Sequence, residues 1–314
     1  MAILRLFDVS QYIYIGNVRH QFMAHGVERV AGNVVPREIP VGGLTYLIDE
    51  IEKYKSPNCD LVFCIDKPPK IKRALHEKAF PGMGGYKGNR VKADYDITIQ
   101  KQMAEEILRQ MGYVVIAVED FEADDVIASI VKYYESSYDK IYIHSKDSDL
   151  YYLISDTVEC IWPGKGYKCV NRHNFKTTVN SKYDIEYNMI TLQKMLAGEP
   201  GDNVPSVPRE TMQRVYDHIP PNWYSKMGDN ELLRLIIEEY TDRDPQAIAV
   251  MELIMPLIAD YRDVELYEEM VDEELLTYYK EEFGMVRGFK GADYSRNVVG
   301  NATIEKYIDM YSRR

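Results

Sequence analysis

The chain has 314 residues, 46% hydrophobic and 28% charged, which suits one large α/β domain or one domain with a helical extension. No stretch approaches the roughly 20 consecutive apolar residues of a membrane span, and Met1–Phe7 runs straight into a strand-like segment with no secretory signal pattern. The net charge of −12 argues against a broadly basic nucleic-acid binder, so the distribution of charge matters more than its sum.

In chain order, short runs rich in Val, Ile, Tyr and Phe predict strands at Ile3–Phe7, Leu61–Ile65, Tyr113–Val118 and Ile141–His144, with a weaker one at Val158–Trp162. Helical patterns at Gly42–Tyr54, Ile97–Met111 and Ala123–Tyr134 alternate with them, which predicts a mostly parallel sheet with crossover helices. Lys67–Asp96 is different: it is basic, too long for a tight connection, and interrupted by Pro81, Gly82, Gly84 and Gly85. Beyond residue 185 the strand signals fade. Tyr187–Leu196, Glu210–His218, Glu231–Tyr240 and Pro245–Leu257 read as helices, with a Gly/Pro-rich turn at Glu199–Pro208. Further helix is predicted within Val264–Phe283, and one amphipathic run lies near Ile304–Tyr311. The cysteines, Cys59, Cys64, Cys160 and Cys169, form no C-x-x-C pair and read as reduced thiols of a cytoplasmic protein.

Carboxylates recur at strand ends. Asp8 follows the first strand, Asp66 the second, and Asp147 and Asp149 the fourth, while Glu122, Asp124 and Asp125 open the helix after the third. Each alone reads as a helix cap or turn former. In an open parallel sheet, however, the carboxyl ends of the strands form one edge. So many acids gathered there repel one another and raise their own pKa values unless a hard cation joins them. Two such ions about 4 Å apart can activate water and stabilise the leaving oxygen of a phosphodiester. The basic segment after Asp66, with Lys67, Lys70, Lys72, Arg73, Lys78, Lys87, Arg90 and Lys92 around Phe80 and Tyr86, supplies the opposite charge for a phosphate backbone. The scattered histidines do not suggest zinc, and His144 reads as a packed or hydrogen-bonded residue.

These residues resemble the 5′-nuclease superfamily: flap endonucleases, phage 5′→3′ exonucleases and the 5′-nuclease domain of bacterial DNA polymerase I. D-V-S-Q-Y-I-Y from Asp8 is similar to D-G-S-x-Y-x-Y. Asp66 precedes a basic segment carrying Arg73 and Y-K-G-N-R at Tyr86–Arg90. E-A-D-D-V-I-A from Glu122, K-D-S-D-L from Lys146 and G-E-P-G-D-N-V-P from Gly198 follow in the family's order, so the likeness runs from Asp8 to Val207. It implies a PIN-like α/β catalytic domain over residues 1–184, with a helical arch at about 67–96. Residues 185–314 would form a helical DNA-binding region with a degenerate helix–three-turn–helix.

The resemblance further implies two Mg²⁺ ions, replaceable by Mn²⁺. Asp8, Asp66, Glu122, Asp124 and Asp147 would surround the first, Asp149, Glu199 and Asp202 would lean toward the second, and Asp125 would serve either or act through water. Lys87 and Arg90 would approach the scissile phosphate, and Tyr86 would either stack on a terminal base or pack internally. Arg73, Arg209 and Arg214 would contact DNA. The implied substrate is DNA with 5′ ends or flaps, cut by a monomeric phage-type or bacterial enzyme, with any polymerase a separate chain.

The sequence departs from the family at three places, one of them Lys146, which stands where the family commonly has glycine. Glu199 stands where the family has aspartate. S-V-P-R-E-T-M-Q-R after Pro205 lacks the glycines whose backbone amides hold a duplex phosphate and a K⁺ ion. A non-catalytic binder of branched DNA and a PIN-like ribonuclease are the alternative readings.

Overall fold

The computed structural model describes residues 2–19, 23–30, 33–90, 95–110, 113–164, 168–179, 187, 189–218, 235, 238–239 and 241–254. Its centre is a six-stranded sheet in the order β5-β4-β1-β6-β7-β8. The strands are β1 (Ile3–Asp8), β4 (Cys59–Cys64), β5 (Val114–Ile116), β6 (Lys140–His144), β7 (Val158–Trp162) and β8 (Lys168–Val170). All pairings are parallel except β7 with β8. A separate antiparallel hairpin joins β2 (Met23–Val30) to β3 (Asn33–Pro40).

Period-two alternation divides the strand side chains between the sheet's faces. Leu4 and Leu6 of β1, Val62 of β4, and Val114 and Ile116 of β5 pack with α5 (Ala123–Tyr134) through Val126, Ile127 and Ile130. Phe7, Leu61, Phe63 and Val115 point the other way. They pack with α1 (Val9–Arg19), α2 (Gly42–Glu52) and α4 (Tyr95–Gln110) through Ile13, Leu44, Leu47, Met103 and Ile107. Each such fully buried Leu, Ile or Phe contributes about 1.5–3 kcal/mol. On this second face α1 and α2 approach closely: a Cβ on Gly16 would lie 2.7 Å from the Gly43 Cα.

The basic segment contains a helix that apolar periodicity did not announce but that falls within the helical arch implied by the resemblance, α3 (Lys70–Ala79). It and the glycine-rich turn after it are not a loose insertion as far as Arg90. Phe80 and Tyr86 join a third apolar cluster with Leu192 and Leu196 of α7 (Met189–Ala197), Val204, Val207, Val215 of α8 (Arg209–His218), and Val250 and Met251 of α9 (Pro245–Ile254). Residues 91–94 of the expected arch, the helix expected at Glu231–Tyr240 apart from residues 235 and 238–239, and the runs expected beyond residue 254 lie outside the described residues.

Candidate active site

Parallel pairing brings the strand ends together. Asp8 is in register with Cys64 of β4, two residues before Asp66, and Phe7 with His144 of β6, which leads into Ser145 and Asp147. Asp8 is only 5% exposed. Its Oδ1 accepts from the Gln11 amide at 3.2 Å and its Oδ2 from the Ser145 hydroxyl at 3.0 Å. Ser145 Oγ also accepts from the Asp147 amide at 3.1 Å, so one buried hydroxyl links two acids. Asp66 accepts from the Ser10 hydroxyl and, at 2.9 Å, from the Ala123 amide at the start of α5. Asp147 caps the short 3₁₀ turn Ser148–Leu153, accepting from the Asp149 amide at 2.9 Å. Beneath this edge, His144 is stacked 4.2 Å from Phe7 and hydrogen bonds to Tyr12 at 2.9 Å and Arg5 at 3.0 Å. Burial and the Arg5 charge push its pKa well down, so it is a neutral packed residue, as the sequence suggested.

These acids and Lys146 line one open cleft of about 1310 Å³, together with Tyr86, Lys87, Arg90, Glu122, Asp124, Asp149, Glu199 and Asp202. Within it the carboxylates fall into two electrostatic classes. Burial and the Asp66 charge raise Asp8 to about 7. Burial and the charges of Asp147, Asp8 and Asp66 push Asp124 well above the usual carboxylate range. Asp66 is held low in spite of burial by Lys101, 3.4 Å away, and by the Ser10 and Ala123 donors. Among the described residues no ion pair reaches Asp8, Asp124 or Asp147.

The second class carries its own cations. Lys72 of α3, 5% exposed, lies 3.0 Å from Glu122 and 3.0 Å from Asp125. Lys87 pairs with Glu122 and sits 3.6 Å from Asp202, which Arg90 also engages. Burial alone would raise Glu122, but Lys72 and Lys87 hold it at about 2. Asp125 also accepts a hydrogen bond from the Glu122 amide at 3.0 Å and so caps α5. Asp149 and Glu199 share Lys194 of α7.

The expected DNA-binding residues separate in the same way. The Tyr86 hydroxyl lies 3.1 Å from Glu122 Oε2 and 3.0 Å from Asp202 Oδ2, and its ring is buried, which favours the packing role over base stacking. Lys87 has φ +57°, a left-handed conformation that costs a non-glycine residue of order 1–3 kcal/mol. The turn that holds it is tied down by the Lys87 amide to the Asp202 carbonyl at 2.8 Å, and by Asn203 Nδ2 to the Gly85 carbonyl at 3.0 Å. Arg73 is exposed on α3 and Arg209 at the start of α8, both away from the cleft lining, and Arg214 pairs with Asp242. Sequence reasoning missed Ser10, Tyr14, Lys101, Ser145 and Lys194. Tyr14, 58% exposed at the cleft, was legible as the second tyrosine of the Asp8 motif, whereas the lysines reach the site only through the fold.

The donor set fits a hard divalent cation: oxygen ligands only, buried at Asp8 and half-buried at Asp66, Asp124 and Asp147, with Asp8 and Asp124 destabilised by neighbouring acids. Among the described residues no three His, Cys, Asp or Glu side chains already form a closed metal-binding group. Carboxylates that repel one another are expected to stand apart until a cation draws them in.

Comparison with known proteins agrees with this geometry. The sequence model of the "5′-3′ exonuclease, N-terminal resolvase-like domain" family matches residues 6–184. A 5′-3′ exonuclease of Aquifex aeolicus is 29% identical over 277 residues, covering 88% of this chain and 86% of that protein. DNA polymerase I of Helicobacter pylori is 39% identical over 129 residues, 40% of this chain but 13% of the polymerase. The solved T5 D15 protein, co-crystallised with metal ions, shares the fold with a TM-score of 0.51 at 14% identity, over 88% of this chain and 98% of that one. The parallel sheet, the acids at its carboxyl edge and the match across residues 6–184 thus come together: the chain belongs to the 5′-3′ exonuclease family of the 5′-nuclease superfamily.

Proposed function

We propose that this protein is a metal-dependent, structure-specific 5′-nuclease that hydrolyses DNA phosphodiesters at 5′ ends or flaps. The observation that carries the reading is the charge state of the cleft. Asp8 and Asp124 are raised by burial and by neighbouring acids, and no protein cation among the described residues answers them. Asp8, Asp66, Asp124 and Asp147 would hold one divalent ion, with Asp149 and Glu199 leaning toward a second. When bound, such ions supply a water of lowered pKa and neutralise charge on the leaving oxygen.

The remaining roles belong to the chain itself. Lys87, parked between Glu122 and Asp202, swings its ammonium to the scissile phosphate and offsets the charge that develops there. Arg90 reaches the same phosphate from its exposed position beside Asp202. Glu122, Asp125 and Asp202 position these cations through Lys72 and Tyr86, beside any part they take in holding metal. The A. aeolicus relative, a 5′-3′ exonuclease matching most of both chains, supports the substrate polarity.

The test is release of labelled product from a 5′-flap DNA in Mg²⁺ or Mn²⁺. Wild type is expected to cut and Asp147→Asn to be inactive; undiminished cleavage by the variant would remove the assignment. Binding of the flap without metal-dependent turnover would leave a non-catalytic binder. A preference for an RNA 5′ strand over DNA would make the protein a ribonuclease.

A further inference from the structure

Asp149 and Glu199, the acids expected to lean toward the second ion, are already bridged. Lys194 reaches across from α7, pairs with Asp149 Oδ1, and lies 3.1 Å from Glu199 Oε2. It lines the cleft, and its side chain is 20% exposed, like that of Asp149. The other cations in the acidic edge have different partners: Lys72 serves Glu122 and Asp125, Lys87 serves Glu122 and Asp202, and Lys101 faces Asp66. In one half of the cleft Lys101 touches Asp66 alone and no ion pair among the described residues reaches Asp8, Asp124 or Asp147, whereas the other half has an ammonium placed between its two acids.

An ammonium and a divalent ion compete for the same carboxylate oxygens. A lysine's four-carbon stem lets its charge leave one partner for another. We propose that Lys194 is an internal competitor for the second divalent ion, so that the Asp149–Glu199 site fills more weakly than the site of Asp8, Asp66, Asp124 and Asp147. This inference rests on the metal reading given above. It also couples the second ion to substrate, because a DNA phosphate in the cleft offers the displaced ammonium a new partner, and such coupling is reciprocal.

The experiment is Mn²⁺ binding to the full chain without DNA, followed by titration calorimetry and by the electron paramagnetic resonance signal of free Mn²⁺. Wild type is expected to show one stronger and one weaker class of site. Lys194→Met should tighten the weaker class by about tenfold, within the usual range of coupling between sites, and leave the stronger class unchanged. Lys194→Arg should restore the weak class. Lys194→Gln, checked for a native circular dichroism spectrum, repeats the measurement with a polar replacement should the methionine variant misfold. Unchanged or weaker binding at the second class in folded variants would overturn the proposal. Failure of wild type to bind Mn²⁺ at all, or an intact stronger class in Asp8→Asn, would instead remove the metal reading on which it stands.

Discussion

At the scale of single residues, the acids of the cleft trade stability for readiness to bind a cation. Asp8 titrates at about 7 in the fold against 3.8 for the free group, because burial and Asp66 oppose its charge. The folded state therefore holds this proton more tightly than the unfolded state does. The favourable contribution is fully present below the unfolded pKa, is lost as pH rises through the interval from about 4 to about 7, and is absent above it. The metal-free protein should accordingly show a melting temperature that falls between about pH 4 and about pH 7, and Mg²⁺ should recover the loss at the alkaline end. Asp8→Asn removes the charge and keeps an acceptor for one of its two donors, the Gln11 amide, while its NH₂ can donate to Ser145 Oγ. It should stabilise the metal-free protein by on the order of 2 kcal/mol at pH 8 while abolishing cleavage. Calorimetric melting of both proteins in EDTA is the check, and a variant that melts lower than wild type would contradict it. Lys87→Met acts on the other class of residue: kcat should fall by about 10²–10³ with Mn²⁺ affinity unchanged. Single-turnover cleavage beside a binding isotherm separates the two effects.

At the scale of elements, the segment between β4 and α4 shows why part of the site was hidden in the sequence. The strands were legible because apolar, β-branched runs read as buried parallel strands, and the acids were legible because each follows one. Helix α3 was legible only through the resemblance, which implied a helical arch, because the buried side chains of K-I-K-R-A-L-H-E-K-A include Lys72 and His76, so there is no clean apolar stripe to find. Helix α1 was missed for the opposite reason: V-S-Q-Y-I-Y-I-G-N-V-R is rich in β-branched and aromatic residues, and its burial of Val9, Tyr12, Ile13 and Gly16 is helical in spacing only. The β2–β3 hairpin carries Gly26 and Pro36, which weaken a strand signal. The sequence also could not tell which acids keep a protein cation, since that depends on where α3 and α7 set Lys72 and Lys194. The α3 pairing makes a sharp prediction. Lys72→Met takes the ammonium away from buried Asp125 and leaves Glu122 with Lys87, which should cost about 3–5 kcal/mol in urea denaturation. Adding Asp125→Asn to that variant should recover part of the loss, because a buried charge that Lys72 no longer answers is then removed while the acceptor for the Glu122 amide is kept. Equal stability of the single and double variants would mean that Lys72 contributes packing rather than charge.

At the scale of the whole molecule, a chain of net charge −12 has to hold a polyanion. The region after Pro205 offers no glycine for close backbone approach to a duplex phosphate; it runs through Ser206–Pro208 into α8, with the Val207 amide bound to the Leu196 carbonyl at 2.9 Å. Of the arginines there, Arg214 is engaged by Asp242 while Arg209 stands exposed. The cleft itself repels phosphate until its acids are covered, since Asp8, Asp66, Asp124 and Asp147 all border the surface that Lys87 and Arg90 share. DNA affinity should therefore depend on a divalent ion even where no cleavage occurs. With Ca²⁺ in place of Mg²⁺, a 5′-flap substrate should bind at least about tenfold more tightly than in EDTA at equal ionic strength, a gap of about 1.4 kcal/mol. Asp8→Asn/Asp124→Asn should narrow that gap by improving binding in EDTA, because the repulsion is then gone without the ion. Fluorescence anisotropy of a labelled flap measures both. A gap that survives in the double variant would move the effect away from these acids and onto the remaining carboxylates around Asp149 and Glu199, where Lys194 already supplies positive charge.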